Sequence, residues 1–443
     1  MSLSEWFYHN QLTESLWGDE GFSALAVQEP FLEMIGIVMR DTAPPMFYVT
    51  GFLWGRMFGF SEIGLRSLTL LLILGSAIFA GLIVNRFQKE KVVAILTGFL
   101  AFLSPFLMPF AFEWRMYALL TFTVMGSIYF FMARRWKWYV GFAVAALYTH
   151  HFALFTVVAQ GLWFLFDEFS HWKSVKAFGK HLWPFLLVVG LYVPWLYPMY
   201  LQTKRVQGAG FWLSVPKVKE VGGLILKFMV GGVTKEWWLI VGGLVTILLI
   251  SKNWKRVGKK WLELVVIFLM PVVLAVGVSY LVTPIFYDRY LLSVVVGMAV
   301  LVGLGTKKKF IPVLIALVII YGWQSFNQFT HPSKREFREM ATYIKQEKTE
   351  ADYLLNYNGR AHHLWESKYY GIPAPIYTPD GPLPLYVGTA QMKESDTTEG
   401  LPEIEGRLGV IASEPIETIT LSGYKVVEEK QFGGLVFSWW KQE

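Results

Sequence analysis

The amino-acid sequence predicts an α-helical polytopic membrane protein with a small α/β domain at its C-terminal end. Three observations carry that expectation. The 443 residues are 54% hydrophobic and 17% aromatic, with 19 Trp, and the mean hydropathy is +0.42, too apolar and too aromatic for a soluble chain of this length. Apolar runs that cross, or nearly cross, about 30 Å of hydrocarbon recur as far as residue 325. From about residue 331 the composition turns to that of a soluble domain.

The runs lie near 65–84, 92–110, 115–133, 139–151 and 152–166, then near 182–200, 236–251, 262–282, 290–306 and 310–324, which makes about ten spans. The segment 44–58 is apolar but carries Gly51, Gly55 and Arg56, the composition of a helix lying in the membrane interface. In the C-terminal part, Phe337, Met340, Ala341 and Ile344 mark one helix face. Short apolar runs follow at Tyr353–Leu355, Leu408–Ile411, Tyr424–Val427 and Leu435–Trp439, separated by Pro and Gly as strands are. The chain thus divides into an acidic loop with interfacial helices at 1–64, a transmembrane bundle at 65–325 and an α/β domain at 326–443.

Charge sets the orientation. The loops with Arg86, Lys89 and Lys91, with Arg134, Arg135 and Lys137, and with Lys173, Lys176 and Lys180 all fall on one side. Lys252, Lys255, Arg256, Lys259 and Lys260, and the run Lys307–Lys309, join them. The positive-inside rule makes that side cytoplasmic. The other side of a plasma membrane then receives the N-terminal segment, the turn with Glu113, the His150–His151 bend, the loop around Arg289 and everything after about 325. An even number of spans leaves the N-terminus outside, and residues 1–16 contain neither a signal-peptide core nor a spanning helix.

A formal charge of +7 does not point to nucleic acid, because the cations come in short clusters between apolar runs rather than along one polar face. With no cysteine, disulfides, thiolate chemistry and sulfur-ligated zinc are excluded.

The polar residues of the outer side form three groups. Trp17-Gly18-Asp19-Glu20, with Asp41-Thr42-Ala43-Pro44-Pro45 and Tyr48, places three carboxylates between aromatic segments. The bland reading is a solvated loop; the chemical one is a general base, since a hydroxyl attacking a sugar must lose its proton as it bonds. Glu113, Arg115 and Tyr117, and then Tyr287, Asp288, Arg289 and Tyr290, sit where spans meet the outer interface. An arginine there either snorkels to the headgroups or joins a second one in clamping a phosphate, for which its planar fork is suited. His150 and His151 offer a divalent-metal site or an interfacial hydrogen-bonding role, with at most one of the adjacent rings facing any one site.

These motifs, with Gly59-Phe60-Ser61-Glu62, Leu65-Arg66-Ser67, Ser104-Pro105 and Arg289-Tyr290-Leu291-Leu292, occur in an order that resembles the GT-C membrane glycosyltransferases of the protein O-mannosyltransferase and aminoarabinose transferase type, the glycosyltransferase family 39 kind. The resemblance runs over about residues 17–325 and extends to the C-terminal domain. It implies a GT-C fold and an enzyme that moves a sugar from a polyprenyl-phosphate carrier to an extracytoplasmic acceptor, a protein, lipid or glycan, with inversion at the anomeric carbon. By position it makes Asp19 the catalytic base and Glu20 its neighbour, and puts Arg115 and Arg289 near the lipid phosphate, with Asp41, Glu113, Tyr117, Asp288 and Tyr290 lining the substrate site. Two departures stand out: such enzymes usually carry a span before the acidic loop, and many have His where Ala43 stands here.

The residues agree with that chemistry on their own terms. A departing phosphate needs its charge stabilised more than it needs a proton, whereas the attacking hydroxyl needs a base. A second acid, Glu20 or Asp41, would stabilise positive charge on the sugar or bind its hydroxyls. The alternatives are a polymerase or ligase using a diphosphate-linked carrier, and a lipid-linked sugar transporter or flippase, in which repeats and midplane charges would be expected.

Overall fold

A computed structural model of the chain describes residues 9–443 except 89, 170–181, 210–212, 232–257, 358–360, 382 and 384–387. The expected span at 236–251, and Lys89, Lys173, Lys176, Lys180, Lys252, Lys255 and Arg256 of the basic loops, lie outside the described residues. The rest is a helical bundle joined to a C-terminal mixed sheet.

Among the described residues, five helices are long and apolar enough to cross a membrane: Glu62–Phe87, Trp183–Arg205, Lys259–Leu281, Asp288–Gly305 and Lys308–Phe329. Shorter apolar helices, Lys91–Phe102, Tyr117–Met132, Trp136–Thr149 and Ala153–Asp167, pack among them. The 26-residue helix Glu62–Phe87 starts at Ser61, whose hydroxyl accepts from the Gly64 N–H at 3.2 Å, a standard N-cap. Its inner face buries Leu65, Leu68, Leu72 and Ile73, while Leu71, Leu74, Ile78 and Leu82 are exposed. Leucine and isoleucine on both faces suit a helix whose outer solvent is lipid. The protein is a multi-pass membrane protein.

The run at 92–110 is broken in the structure. Its helix ends at Phe102, and a separate turn of helix covers Met108–Ala111. Pro105 and Pro109 lack the N–H that a continuous helix would need. The freed groups are satisfied sideways: the Ser104 hydroxyl and the Phe106 N–H both donate to the Gly231 carbonyl, at 3.0 and 2.8 Å.

At the basic end of the bundle, Asp167 accepts from Arg134 at 2.8 Å and pairs with Lys259, and Glu263 accepts from Lys260 at 2.9 Å. At the other end sit three further helices, Gly18–Ala26, Phe31–Arg40 and Met46–Phe58. The last two expose Phe31, Leu32, Leu53, Met57 and Phe58.

Among the described residues, six strands form one sheet in the order β3-β2-β1-β4-β6-β5, with β1 at Tyr353–Asn356, β2 at Ile376–Tyr377, β3 at Thr397–Thr398, β4 at Leu408–Ala412, β5 at Tyr424–Phe432 and β6 at Leu435–Gln442. The first four run parallel, and β6 is antiparallel to both β4 and β5. The edge strand β5 carries Lys425, Glu428, Glu429 and Lys430, charges that blunt edge-to-edge pairing. Phe337, Met340, Ala341 and Ile344 of helix Phe337–Glu347 are buried with Leu354, Ile411, Phe437 and Trp439 of the sheet.

The helix Ala361–Tyr369 lies against Gly18–Ala26 and joins the sheet to the bundle. Gly18 and Gly21 share the face that permits this approach. A Cβ on Gly18 would fall 2.4 Å from the Cβ of His362, and one on Gly21 would fall 3.1 Å from the Trp365 backbone. Phe22 and Trp365 then meet edge to face, with ring centroids 5.5 Å apart.

Candidate active site

Three consecutive residues of the acidic helix face three different ways. Gly18 faces the helix Ala361–Tyr369, Glu20 faces the bundle, and Asp19 faces the space between. The roughly 100° that separates successive side chains on a helix is the cause.

Glu20 is fully buried. Its carboxylate accepts from Arg66 Nε and Nη2 at 3.1 and 2.8 Å, from Lys334 Nζ at 3.0 Å, and from the backbone N–H groups of Trp114 at 2.6 Å and Trp17 at 3.2 Å. Burial alone would raise its pKa, but Arg66 and Lys334 outweigh burial and bring it down to about 2. With every lone pair engaged and no exposed surface, Glu20 is an anchor for the N-terminal segment. Arg66 extends the anchor by donating to the carbonyls of Gln11, Glu14 and Ser15.

Asp19 is partly exposed, in the first turn of its helix. One carboxylate oxygen lies 3.7 Å from Arg115 Nη2, and the other lies 3.6 Å from His362 Nε2. Arg115 is held by its second terminal nitrogen, which donates to the Ser23 hydroxyl at 2.8 Å and to the Asp19 carbonyl at 3.2 Å. Asp41 accepts from the Tyr48 hydroxyl at 3.4 Å, and burial holds its pKa above the usual carboxylate range against the pull of Arg115.

The second arginine is arranged in parallel. Arg289 donates to the Tyr287 hydroxyl at 2.9 Å and to the Tyr117 hydroxyl at 3.4 Å, and lies 3.9 Å from Glu113. Its guanidinium carbon is 4.7 Å from the Tyr287 ring centre, 5.4 Å from that of Tyr117 and 5.9 Å from that of Trp17, within cation–π range. Burial pushes the Glu113 carboxyl up to about 7, with Arg289 opposing. Arg115 Nε, Arg289 Nε and Glu113 Oε1 are buried without a hydrogen-bond partner among the described residues. Neither arginine is closed into a tight pair with its carboxylate, so both keep donors for an anion.

The remaining sequence candidates divide. Tyr290 meets His150 and Tyr117 in tilted ring contacts, with centroids 4.5 and 6.0 Å apart. Asp288 opens the short turn Asp288–Leu291 and accepts from the neighbouring N–H of Arg289 at 2.7 Å. His151 is 3.3 Å from both the Tyr192 hydroxyl and Gln202 Oε1, and the Gln202 amide donates to the carbonyls of Val38 and Ala43. His150 Nδ1 accepts from the Phe152 N–H at 3.2 Å. These contacts are hydrogen-bonding roles, and the described residues contain no group of three His, Asp or Glu side chains arranged to hold a metal.

Arg66, Lys334, Ser23 and His362 go unassigned from the sequence. An arginine four residues inside an apolar helix was a usable signal for Arg66, since a buried guanidinium needs an anion. Nothing in the sequence pairs His362 with Asp19.

The fold matches solved structures. ArnT from Cupriavidus metallidurans in the apo state aligns with a TM-score of 0.64 and 14% sequence identity, covering 99% of this chain and 96% of that one. The same protein bound to undecaprenyl phosphate aligns with a TM-score of 0.61, at the same identity and coverage. No protein-family model and no curated protein sequence matches the chain. The chain therefore has the fold of ArnT, a GT-C fold, over nearly its whole length.

Proposed function

We propose that this protein transfers a sugar from a polyprenyl-phosphate carrier to an acceptor hydroxyl on the extracytoplasmic face of the plasma membrane, with inversion. The observation that carries the reading is a partly exposed Asp19 set 3.7 Å from Arg115, with Arg289 at the same end of the bundle and a buried donor left open on each arginine. A solved structure of the same fold with undecaprenyl phosphate bound supports the carrier.

In this reading the acceptor hydroxyl gives its proton to Asp19 as its oxygen bonds to the anomeric carbon. The bond from that carbon to the phosphate oxygen breaks on the opposite side, and its electron pair leaves with the phosphate. Arg115 and Arg289 stabilise the charge that gathers there with donors held in place before the reaction. Trp17, set between Arg289 and His362, supplies an aromatic face for the sugar ring. The paired charges lie toward the two ends of the described bundle, which favours chemistry at an interface over transport through the midplane.

The test is a screen of labelled polyprenyl-phosphate sugars in membranes, reading which cell-envelope fraction gains label. Asp19-dependent labelling is the expected result. Labelling only from diphosphate-linked donors would replace this reading with a polymerase or ligase.

Two further outcomes follow from the arginines. Arg289→Ala removes charge-assisted hydrogen bonds worth about 1.5–3 kcal/mol, so the donor KM should rise roughly ten- to a hundred-fold; an unchanged KM would remove Arg289 from the clamp. Glu113 competes with the donor phosphate for Arg289 when ionised. A phosphodiester donor has no proton to lose near neutrality, so donor binding should tighten as pH falls through about 7 and the carboxylate becomes neutral. Glu113→Gln should flatten that dependence, as read by donor titration at pH 6 and pH 8.

A further inference from the structure

The helix Ala361–Tyr369 belongs to the C-terminal sheet, yet one of its side chains reaches the acid in the site above. His362 Nε2 lies 3.6 Å from Asp19 Oδ1, while Arg115 holds the opposite oxygen at 3.7 Å. The contact is fixed by the backbone, because Gly18 lets the two helices approach until no Cβ fits between Gly18 and His362. The imidazole also meets the Trp17 ring edge to face, with centroids 5.7 Å apart and planes at 89°. Its side chain is 42% exposed, so one end of the ring touches Asp19 and part of the rest is open to solvent.

We propose that His362 is a relay and positioning residue that takes from Asp19 the proton removed from the acceptor and passes it to water. This rests on the function proposed above. The step balances. The acceptor O–H bond breaks as its oxygen bonds to the anomeric carbon, and the proton goes to Asp19. The phosphate leaves with the electron pair. Asp19 then gives the proton to Nε2 of a neutral His362 that carries its own proton on Nδ1; the imidazolium so formed loses one proton to water, and exchange with water returns the remaining ring proton to Nδ1 before the next turnover. Asp19 returns to its ionised state, ready for a second acceptor.

Asp19 faces the His362 imidazole directly, Arg115 lies beyond that carboxylate, and Arg289 lies behind Trp17. On its own helix, His363 is engaged with Arg335 and Ser413 at 2.8 and 3.0 Å, and Glu366 is buried one turn away.

The experiment compares wild type, His362→Ala, His362→Gln and Asp19→Asn in membranes, using the labelled polyprenyl-phosphate sugar that the screen identifies, between pH 5.5 and 8.5. His362→Ala keeps the Cβ that packs against Gly18, so the helix contact survives. His362→Gln keeps an amide donor for Asp19 but carries no titratable group. Both variants should turn over at least about tenfold more slowly, in line with the usual share of acid–base catalysis. Both should lack the fall in rate that wild type shows as imidazole becomes protonated. Free imidazole in the buffer should restore His362→Ala.

Full activity in His362→Gln, or a wild-type pH profile in both variants, would overturn the relay while Asp19→Asn stays inactive. Turnover that is indifferent to Asp19→Asn would overturn the underlying function instead, and the relay with it.

Discussion

Asp19→Asn is expected to lower sugar transfer by roughly 10²–10⁴-fold, the range that a positioned general base contributes. The substitution is nearly isosteric and leaves the first turn of the helix Gly18–Ala26 in place, with Arg115 still held by Ser23 and the Asp19 carbonyl. What is lost is the capacity to take a proton. Because both arginines remain, donor binding should hold within a few-fold. A variant that binds donor and stalls is therefore the expected phenotype, read as a normal donor titration beside an absent product. Full turnover would remove Asp19 from the chemistry.

The second large effect falls on stability. Glu20 and Arg66 are both fully buried, and Lys334 closes the same cluster. Removing one partner of a buried pair strands the other charge at a cost of about 3–5 kcal/mol. Glu20→Ala should therefore lower the thermal midpoint sharply in detergent or nanodiscs. Glu20→Gln combined with Arg66→Met should recover part of the loss, since the stranded cation goes too. The pH dependence has a definite sign: a carboxyl held down to about 2 in the fold contributes stability above the ordinary carboxylate pKa and loses it as pH falls toward 2. If Glu20→Ala left the thermal midpoint unchanged and abolished transfer, the anchoring role would be wrong and the carboxylate would belong to the chemistry.

The contrast between Asp19 and Glu20 shows where the sequence stops being legible. Residue type alone does not separate the two adjacent acids after Trp17-Gly18, and only the family resemblance makes Asp19 the base and Glu20 its neighbour. On a helix they diverge, and the partners that decide their roles, Arg66, Trp114 and Lys334 for one, Arg115 and His362 for the other, come from distant parts of the chain. The apolar runs and the strands β1, β4, β5 and β6 are readable because their pattern is local, whereas β2 and β3, two residues each, leave no run to read. The break after Phe102 was readable in principle, since Pro105 and Pro109 stand in the run. Its consequence, a backbone turn bonded to Gly231, was not.

Arg115 and Arg289 could be placed together from sidedness alone, because a bundle brings together the helix ends on one side of a membrane. Asp288 shares the loop of Arg289 and reads as part of the same site, but an aspartate in a short turn often bonds nearby backbone, and here it accepts from the Arg289 N–H. The glycines of Trp17-Gly18-Asp19-Glu20-Gly21 carried information that composition could not convey. They mark the face where the C-terminal part docks, and with it the route by which His362 reaches Asp19.

The central claim is that Asp19 and the two arginines perform inverting transfer from a lipid monophosphate. Single-turnover reactions of the purified protein in nanodiscs test it most directly, with a polyprenyl-phosphate sugar of known anomeric configuration and analysis of the product's configuration. The account predicts an inverted product and release of the polyprenyl monophosphate, both lost in Asp19→Asn. A product with retained configuration, or equal release by Asp19→Asn, would contradict it.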